Sequence, residues 1–157
     1  MKHTTTKHIS MKAQNVFMFK CFHEKLSPIA NMLVQLKNAQ ARGHAEVVLP
    51  FSKIKFEIAQ ILKNKNFVSE VEKRKKKTKK NEFDTLAISL KYENSVGAIN
   101  DIKLISKPSR RIYVGKGDLK PIKSGYGIAV ISTSKGIMAG DDAKKAGIGG
   151  EIIFEIW

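Results

Sequence analysis

The strongest constraint on this chain is a block of like charge. Lys73-Arg74-Lys75-Lys76-Lys77-Thr78-Lys79-Lys80 puts seven cations into eight residues. Ammonium groups at that density repel one another, so the block has to stand in solvent as an extended tip instead of packing. Phe67 to Lys73 and Phe83 to Tyr92 flank it, and both read as strands. In the second, Leu86, Ile88, Leu90 and Tyr92 alternate with Thr85, Ala87, Ser89 and Lys91. That period of two marks a strand with one covered face. Two such strands joined by a cationic tip predict an antiparallel hairpin whose apolar side needs a partner layer.

The preceding residues supply that layer. Ser27 can cap a helix and Pro28 fits its first position. Ile29, Met32, Leu33, Leu36 and Ala39 then follow a three-four spacing, which predicts a helix from Pro28 to about Ala41, ended by Gly43. Glu46 to Leu49 reads as a short strand closed by Pro50, and Ser52 as the cap of a second helix. In that helix Ile54, Ile58, Ile61 and Leu62 are expected inside, with Lys53, Lys55, Lys63 and Lys65 outside. The order α-β-α-β-β packs most economically as one sheet with both helices on a single face.

The character changes after the second strand. Between Gly115 and Gly150 glycine clusters, and short apolar runs alternate with turns. Strands are predicted at Ile102–Ser106, Arg111–Val114, Ile128–Ser132 and Glu151–Trp157, with a short helix from Asp141 to Ala146, capped by Asp141 and stopped by Gly147. The fold class is therefore α+β, in two small domains. An N-terminal α-β-α-β-β domain takes residues 27–96, a mainly antiparallel β domain with one short helix takes 97–157, and the boundary falls near Asn94–Asp101. Residues 1–26 read as an extension, acid-poor and hydroxyl-rich like an organelle-targeting segment but without Arg. Its cluster Val16-Phe17-Met18-Phe19, Cys21 and Phe22 fits no single helix face, and suits either packing on the domain or docking on a neighbouring macromolecule.

Composition narrows the function. Against 14 Asp+Glu stand 29 Lys+Arg, a formal charge of +15 over 157 residues. That surplus points to a polyanionic partner. No apolar run approaches the ~18 residues of a membrane-spanning helix. The termini Met1-Lys2-His3 and Glu155-Ile156-Trp157 carry no lipidation signal, so nucleic acid ranks ahead of a membrane face. A single cysteine, Cys21, excludes a disulfide scaffold and paired-cysteine zinc. Gly115-Lys116-Gly117 and Gly125-Tyr126-Gly127 lack the third glycine of a dinucleotide fold, no phosphate loop occurs, and no histidine pairs with a carboxylate at metal spacing. Asp141-Asp142 suits a helix start better than a cation site. We expect no enzyme, no metal and no cofactor.

Two segments carry the chemistry of recognition. In the first, the apolar run Ile128 to Ile131 delivers three hydroxyls and a cation (Ser132, Thr133, Ser134, Lys135) into a turn at Gly136. Hydroxyls on a fixed turn can bond base edges, ribose or phosphate, and a glycine lets a ligand come close. The same residues would also make an ordinary hairpin loop. In the second, Lys107, Arg110 and Arg111 surround a proline turn, beside Tyr113. Two guanidiniums suit phosphate and a tyrosine suits an unpaired base. Alternatively Tyr113 is a half-buried strand residue and the arginines are solvated. The cations Lys73, Arg74, Lys75, Lys76, Lys77, Lys79 and Lys80 read as non-specific phosphate contacts, because flexible lysines carry no base code.

Taken in order, these pieces resemble the bacterial type of small-subunit ribosomal protein eight, from Ser27 to Trp157. The likeness rests on Ser27-Pro28-Ile29-Ala30-Asn31-Met32-Leu33, Leu36-Lys37-Asn38-Ala39 and Leu49-Pro50-Phe51-Ser52-Lys53-Ile54-Lys55. It continues through the segments 105–114 and 127–138 and the terminal strand from Gly149-Gly150-Glu151. The resemblance implies a two-domain α+β protein that binds the central domain of small-subunit rRNA and helps organise the platform. It implies that Ser132 to Gly136 enter an RNA minor groove with Tyr113 nearby, and that Glu151 supports the loop. Lys37, Asn38, Ser52, Lys53 and Lys55 match or adjoin backbone-contacting positions. Small-subunit proteins five and twelve are the implied neighbours, with no membrane and no homo-oligomer. The implied location is the ribosome, in a mitochondrial or other organellar matrix or in bacterial cytoplasm. Ser27 and Ser109 depart from the family pattern, and the lysine block and residues 1–26 exceed it. A sequence-blind nucleic-acid chaperone and a nuclease are the rival functions.

Overall fold

The structure is a computed structural model that describes residues 27–77, 82–94 and 96–157. The predicted extension, with its Val16–Phe22 cluster, lies outside the described residues, as do Thr78, Lys79 and Lys80. The N-terminal half runs α1 (Pro28–Ala41), β1 (Glu46–Pro50), α2 (Lys53–Asn64), β2 (Val68–Lys77) and β3 (Glu82–Leu90). A two-stranded ribbon of β4 (Tyr92–Glu93) and β5 (Val96–Gly97) follows. The C-terminal half holds β6 (Ile102–Leu104), β7 (Tyr113–Val114), a 3-10 turn at Lys123–Gly125, β8 (Ile128–Thr133), β9 (Gly136–Ala139), α3 (Gly140–Lys145) and β10 (Gly150–Ile156). The fold is α+β, with helices and antiparallel sheets in the predicted order.

Local chemistry accounts for α1. The Ala30 N–H donates to Ser27 Oγ at 3.3 Å, and Pro28 takes the first turn, where its missing N–H costs no bond. At the far end Gly43 adopts φ 69°, and Gly43 and His44 donate to the carbonyls of Gln40 and Ala39, satisfying the last open acceptors. Ser52 holds the N-cap position of α2, but its hydroxyl makes no capping bond. Ile58 and Leu62 are buried as expected and Ile61 is half-buried against the core, whereas Ile54 is 48% exposed. Its first-turn position overhangs a groove instead of the sheet.

The first sheet has the order β1-β3-β2, all antiparallel. Val47, Leu49, Val71, Leu86, Ile88 and Leu90 turn toward the helices. Thr85 and Ala87, expected on the solvent side, are buried as well. They are small residues in the central strand, screened by longer cross-strand neighbours: Pro50 and Arg74 beside Thr85, Val48 and Glu72 beside Ala87. The lysine block is not a tip from Lys73 onward, because β2 stays paired to Lys77. Alternation sends neighbouring cations to opposite faces. Carboxylates offset the first two: Asp84 lies 2.8 Å from Lys73, and Glu46 and Glu72 lie 3.1 and 2.7 Å from Arg74. The β3 strand ends at Leu90, two residues short of Tyr92, which belongs to the separate ribbon.

In the second sheet β10 is central, with β8 then β9 on one side and β6 and β7 sharing the other. The register of β10 on β8 slips between Ile152 and Phe154, and the Ile153 carbonyl accepts from both Ile105 and Ser106. The outer edge splits there, so the predicted strands over 102–106 and 111–114 shorten to β6 and β7. The return strand β9 is one that the sequence pattern does not predict. Ala139, not Asp141, is the N-cap of α3; Asp141 and Asp142 lie in its first turn, where the exposed N–H groups favour negative charge. Gly147, at φ 69°, closes the helix.

A single apolar cluster runs through both halves, joining Leu36, Ile58, Leu62, Leu86 and Ile88 to Val130, Phe154 and Ile156. Polar ties reinforce it. The Gln40 amide donates to the Ile99 carbonyl and accepts from the Ile99 N–H at 3.1 Å. Lys37 pairs with Asp101, and Lys65 reaches Asp141 at 3.5 Å and Asp142 at 3.8 Å.

Candidate nucleic-acid interface

Strand register gathers the predicted residues. Tyr113 pairs with Glu151, Glu151 with Ser132, and Ser132 with Ile137. Residues directly opposite in a ladder share a face, so these four side chains form one row across β7, β10, β8 and β9. The Gly149-Gly150 pair makes that close spacing possible. A Cβ on Gly150 would stand 2.2 Å from the Ser132 carbonyl oxygen, and one on Gly149 2.3 Å from that of Val114. No side chain larger than hydrogen fits at either point while β10 enters between its neighbours.

The β8–β9 hairpin turns through Ser134 and Lys135, both exposed. Thr133 Oγ1 donates to the Gly136 carbonyl at 2.8 Å and accepts from the Lys135 N–H at 3.1 Å, so that hydroxyl is spent on holding the turn. Among the described residues the Ser132 and Ser134 hydroxyls have no partner in the chain. Gly136 takes φ 110°, and nothing lies within 4 Å of where its Cβ would be. Glycine is needed there for its backbone alone, and the outer side of the turn is open.

A second turn stands beside it. Lys107 and Arg110 exchange two backbone bonds of 2.9 and 3.0 Å, which point Pro108 and Ser109 outward. Ser106 Oγ accepts from the Ile112 N–H at 3.1 Å and steadies the base of this turn. Arg111 Nη1 lies 3.2 Å from Glu151 Oε2, and the Glu151 side chain is only 18% exposed. Glu151 thus joins the two turns through its backbone at Ser132 and its carboxylate at Arg111. Tyr113 is 67% exposed and so is not the half-buried residue that the alternative required.

A groove runs between this face and the starts of α1 and α2, lined by Ser27, Ile54, Arg111, Ser132, Ile137 and Glu151. Ser52, Lys53 and Lys55 flank Ile54 in sequence at the start of α2, where Lys55 Nζ donates to the Pro50 carbonyl at 3.4 Å. The other predicted residues lie elsewhere. Lys37 is bound to Asp101, Asn38 lines a different groove between α1 and β1 with Arg42 and His44, and Lys73 to Lys77 follow β2. Lys79 and Lys80 are outside the described residues. Sequence reasoning placed Ile54 in the core; the lysines on either side of it were the available signal that its helix turn leaves the apolar face.

The profile of the family described as Ribosomal protein S8 matches residues 27–157. The small ribosomal subunit protein uS8 of Mycoplasma mobile is 43% identical over 130 residues, covering 83% of this chain and 95% of the relative. That of Hydrogenovibrio crunogenus is 44% identical over 126 residues, covering 80% and 93%. That of Nitratidesulfovibrio vulgaris is 42% identical over 130 residues, covering 83% and 97%. On these matches the chain belongs to the ribosomal protein S8 family, as a structural constituent of the small ribosomal subunit.

Proposed function

We propose that this protein is a primary binder of small-subunit rRNA, gripping the central domain and aiding platform assembly. The two free serine hydroxyls, on a turn fixed from within by Thr133 and open on its outer side, support this most directly. In this reading Ser132, Ser134, Lys135 and Gly136 contact ribose hydroxyls and base edges in a shallow groove, which selects RNA shape. Tyr113 stacks alongside, while Lys107, Arg110 and Arg111 hold phosphates from the neighbouring turn. Lys53 and Lys55 reach the backbone from the start of α2. The cations of β2 add affinity without sequence preference.

The finer assignments belong to the same proposal. Residues 27–96 and 97–157 act as two RNA-contacting units, small-subunit proteins five and twelve are neighbours, and the action is structural, not catalytic. The relatives compared are bacterial, and we carry the bacterial cytoplasm, not the mitochondrial matrix, as the compartment of this ribosome. Co-sedimentation with small ribosomal subunits at moderate salt tests the whole reading. Retention on the subunit, together with protection of central-domain rRNA from cleavage, supports it. Release from subunits with equal binding to any RNA replaces it with a chaperone, and magnesium-dependent cleavage of the RNA replaces it with a nuclease.

A further inference from the structure

The β2–β3 hairpin outruns the sheet that supports it. Strand β1 pairs only with Thr85 to Ser89, whereas β2 and β3 continue together to Lys77 and Glu82. Beyond Thr85 the hairpin is a two-stranded arm, with no third strand beside it among the described residues. Phe83 sits on this arm, 47% exposed, directly opposite Lys76 and therefore on the same face. Aromatic side chains of this size are ordinarily covered.

Charge decides what could cover Phe83. The nearest arm cations toward the sheet are matched, Lys73 by Asp84 and Arg74 by Glu46 and Glu72. Lys75 and Lys76 are exposed, and no carboxylate among the described side chains pairs with either. On this face Arg74 flanks Thr85 from β2, while the exposed Pro50 and Val48 lie on the β1 side of β3. Phe83 lies past the last β1 pairing, and its direct cross-strand partner is the exposed cation Lys76. A nucleotide wants an aromatic face beside a free cation, since its base stacks on the ring while its phosphate meets the ammonium.

We propose that Phe83 and Lys76 form a stacking site for an unpaired RNA base, separate from the Ser132–Gly136 hairpin. This rests on the reading that the partner is RNA, but not on how the hairpin engages it. The test uses the full chain with two probes, single-stranded oligoadenylate and a bulge-free RNA duplex. Phe83→Leu keeps apolar bulk on an exposed strand but removes the ring, and should weaken oligoadenylate binding about tenfold while leaving duplex binding unchanged. In a Phe83→Trp background, Ser134→Ala should leave the quenching of the position-83 indole by saturating oligoadenylate in place, which separates failure of this site from failure of the hairpin. Phe83→Trp provides a direct readout, because its emission should be quenched at saturating oligoadenylate beyond any change in the wild-type signal from Trp157. Wild-type affinity for oligoadenylate in the Leu variant, or unquenched emission in the Trp variant, overturns the proposal. So does loss of a small-subunit protein partner with oligoadenylate affinity intact, which would give the face to a polypeptide.

Discussion

Gly150→Ala isolates the close strand approach that builds the interface. The new Cβ would lie 2.2 Å from the Ser132 carbonyl oxygen and 3.0 Å from Ile131 Cγ2. Comfortable non-bonded separations begin near ~3.5 Å, so β8 and β10 would have to part by about 1 Å. Overpacking costs about 1–3 kcal/mol, and here the obstacle is backbone with no rotamer to swing aside, which places the change near the upper end. For a chain of this size, about 3 kcal/mol lowers Tm by roughly 6–12 °C. Gly150 is not at positive φ, so the clash is the whole effect. Gly140→Ala is the matched control. Its Cβ would sit 3.4 Å from Ala129 Cβ, an ordinary contact, in the first turn of α3. Alanine is better there by up to about 1 kcal/mol, so Tm should hold or rise. Thermal unfolding followed by circular dichroism measures both variants, and cognate-RNA affinity should fall only for the first. A Tm for Gly150→Ala within about 2 °C of wild type would refute the idea that a tight backbone approach sets this row of side chains.

Other perturbations separate recognition from grip. Ser134→Ala should weaken cognate-RNA binding by about 1–3 kcal/mol with little effect on an arbitrary duplex, as read by fluorescence anisotropy; equal effects on both would remove the turn as a reader. Changing Lys75, Lys76, Lys77, Lys79 and Lys80 to Gln should flatten the dependence of log affinity on log salt by about 0.7–0.9 for each phosphate that is no longer neutralised. An unchanged slope would take β2 out of the RNA-binding surface. Lys37 and the Ile102 N–H, bonding Asp101 in that order of effect, hold its carboxyl below the usual aspartate range. A depressed folded-state pKa stabilises above the unfolded value and is lost as pH falls through the folded one, so this contribution fades on the acid side of about pH 4. Lys37→Met should bring the Asp101 titration measured by NMR back toward the ordinary value, and no movement would show that the pair does not form in solution.

What the sequence discloses is mostly local. Ser27, Pro28 and the three-four spacing specify α1 because cap, first turn and buried face all lie within one stretch, and Gly43 marks its end by backbone conformation. The α-β-α-β-β order is legible for the same reason. Errors arise where distant residues decide. The strand through Lys73 to Lys77 depends on Asp84 and Glu46, which no local window joins to it. Thr85 and Ala87 look solvent-facing until the strand is known to be central. Asp141 looks like a cap because its chemistry suits one, yet Gly140 already belongs to the helix. The hydroxyl turn could be picked out by composition, but its alignment with Tyr113 and Glu151 follows from register. Likewise the role of Gly149-Gly150 shows only when the carbonyls of Ser132 and Val114 are in place.

The continuous apolar cluster beneath both halves, pinned by Gln40 at Ile99, makes the molecule a fixed calliper. Its two jaws, the hydroxyl turn and the lysine-bearing start of α2, keep their gap before any polynucleotide arrives. Little ordering entropy is then left to be lost on association, so affinity comes chiefly from groups already in position. On the proposed reading, an RNA helix of the wrong width would be rejected by stiffness before any base edge is read.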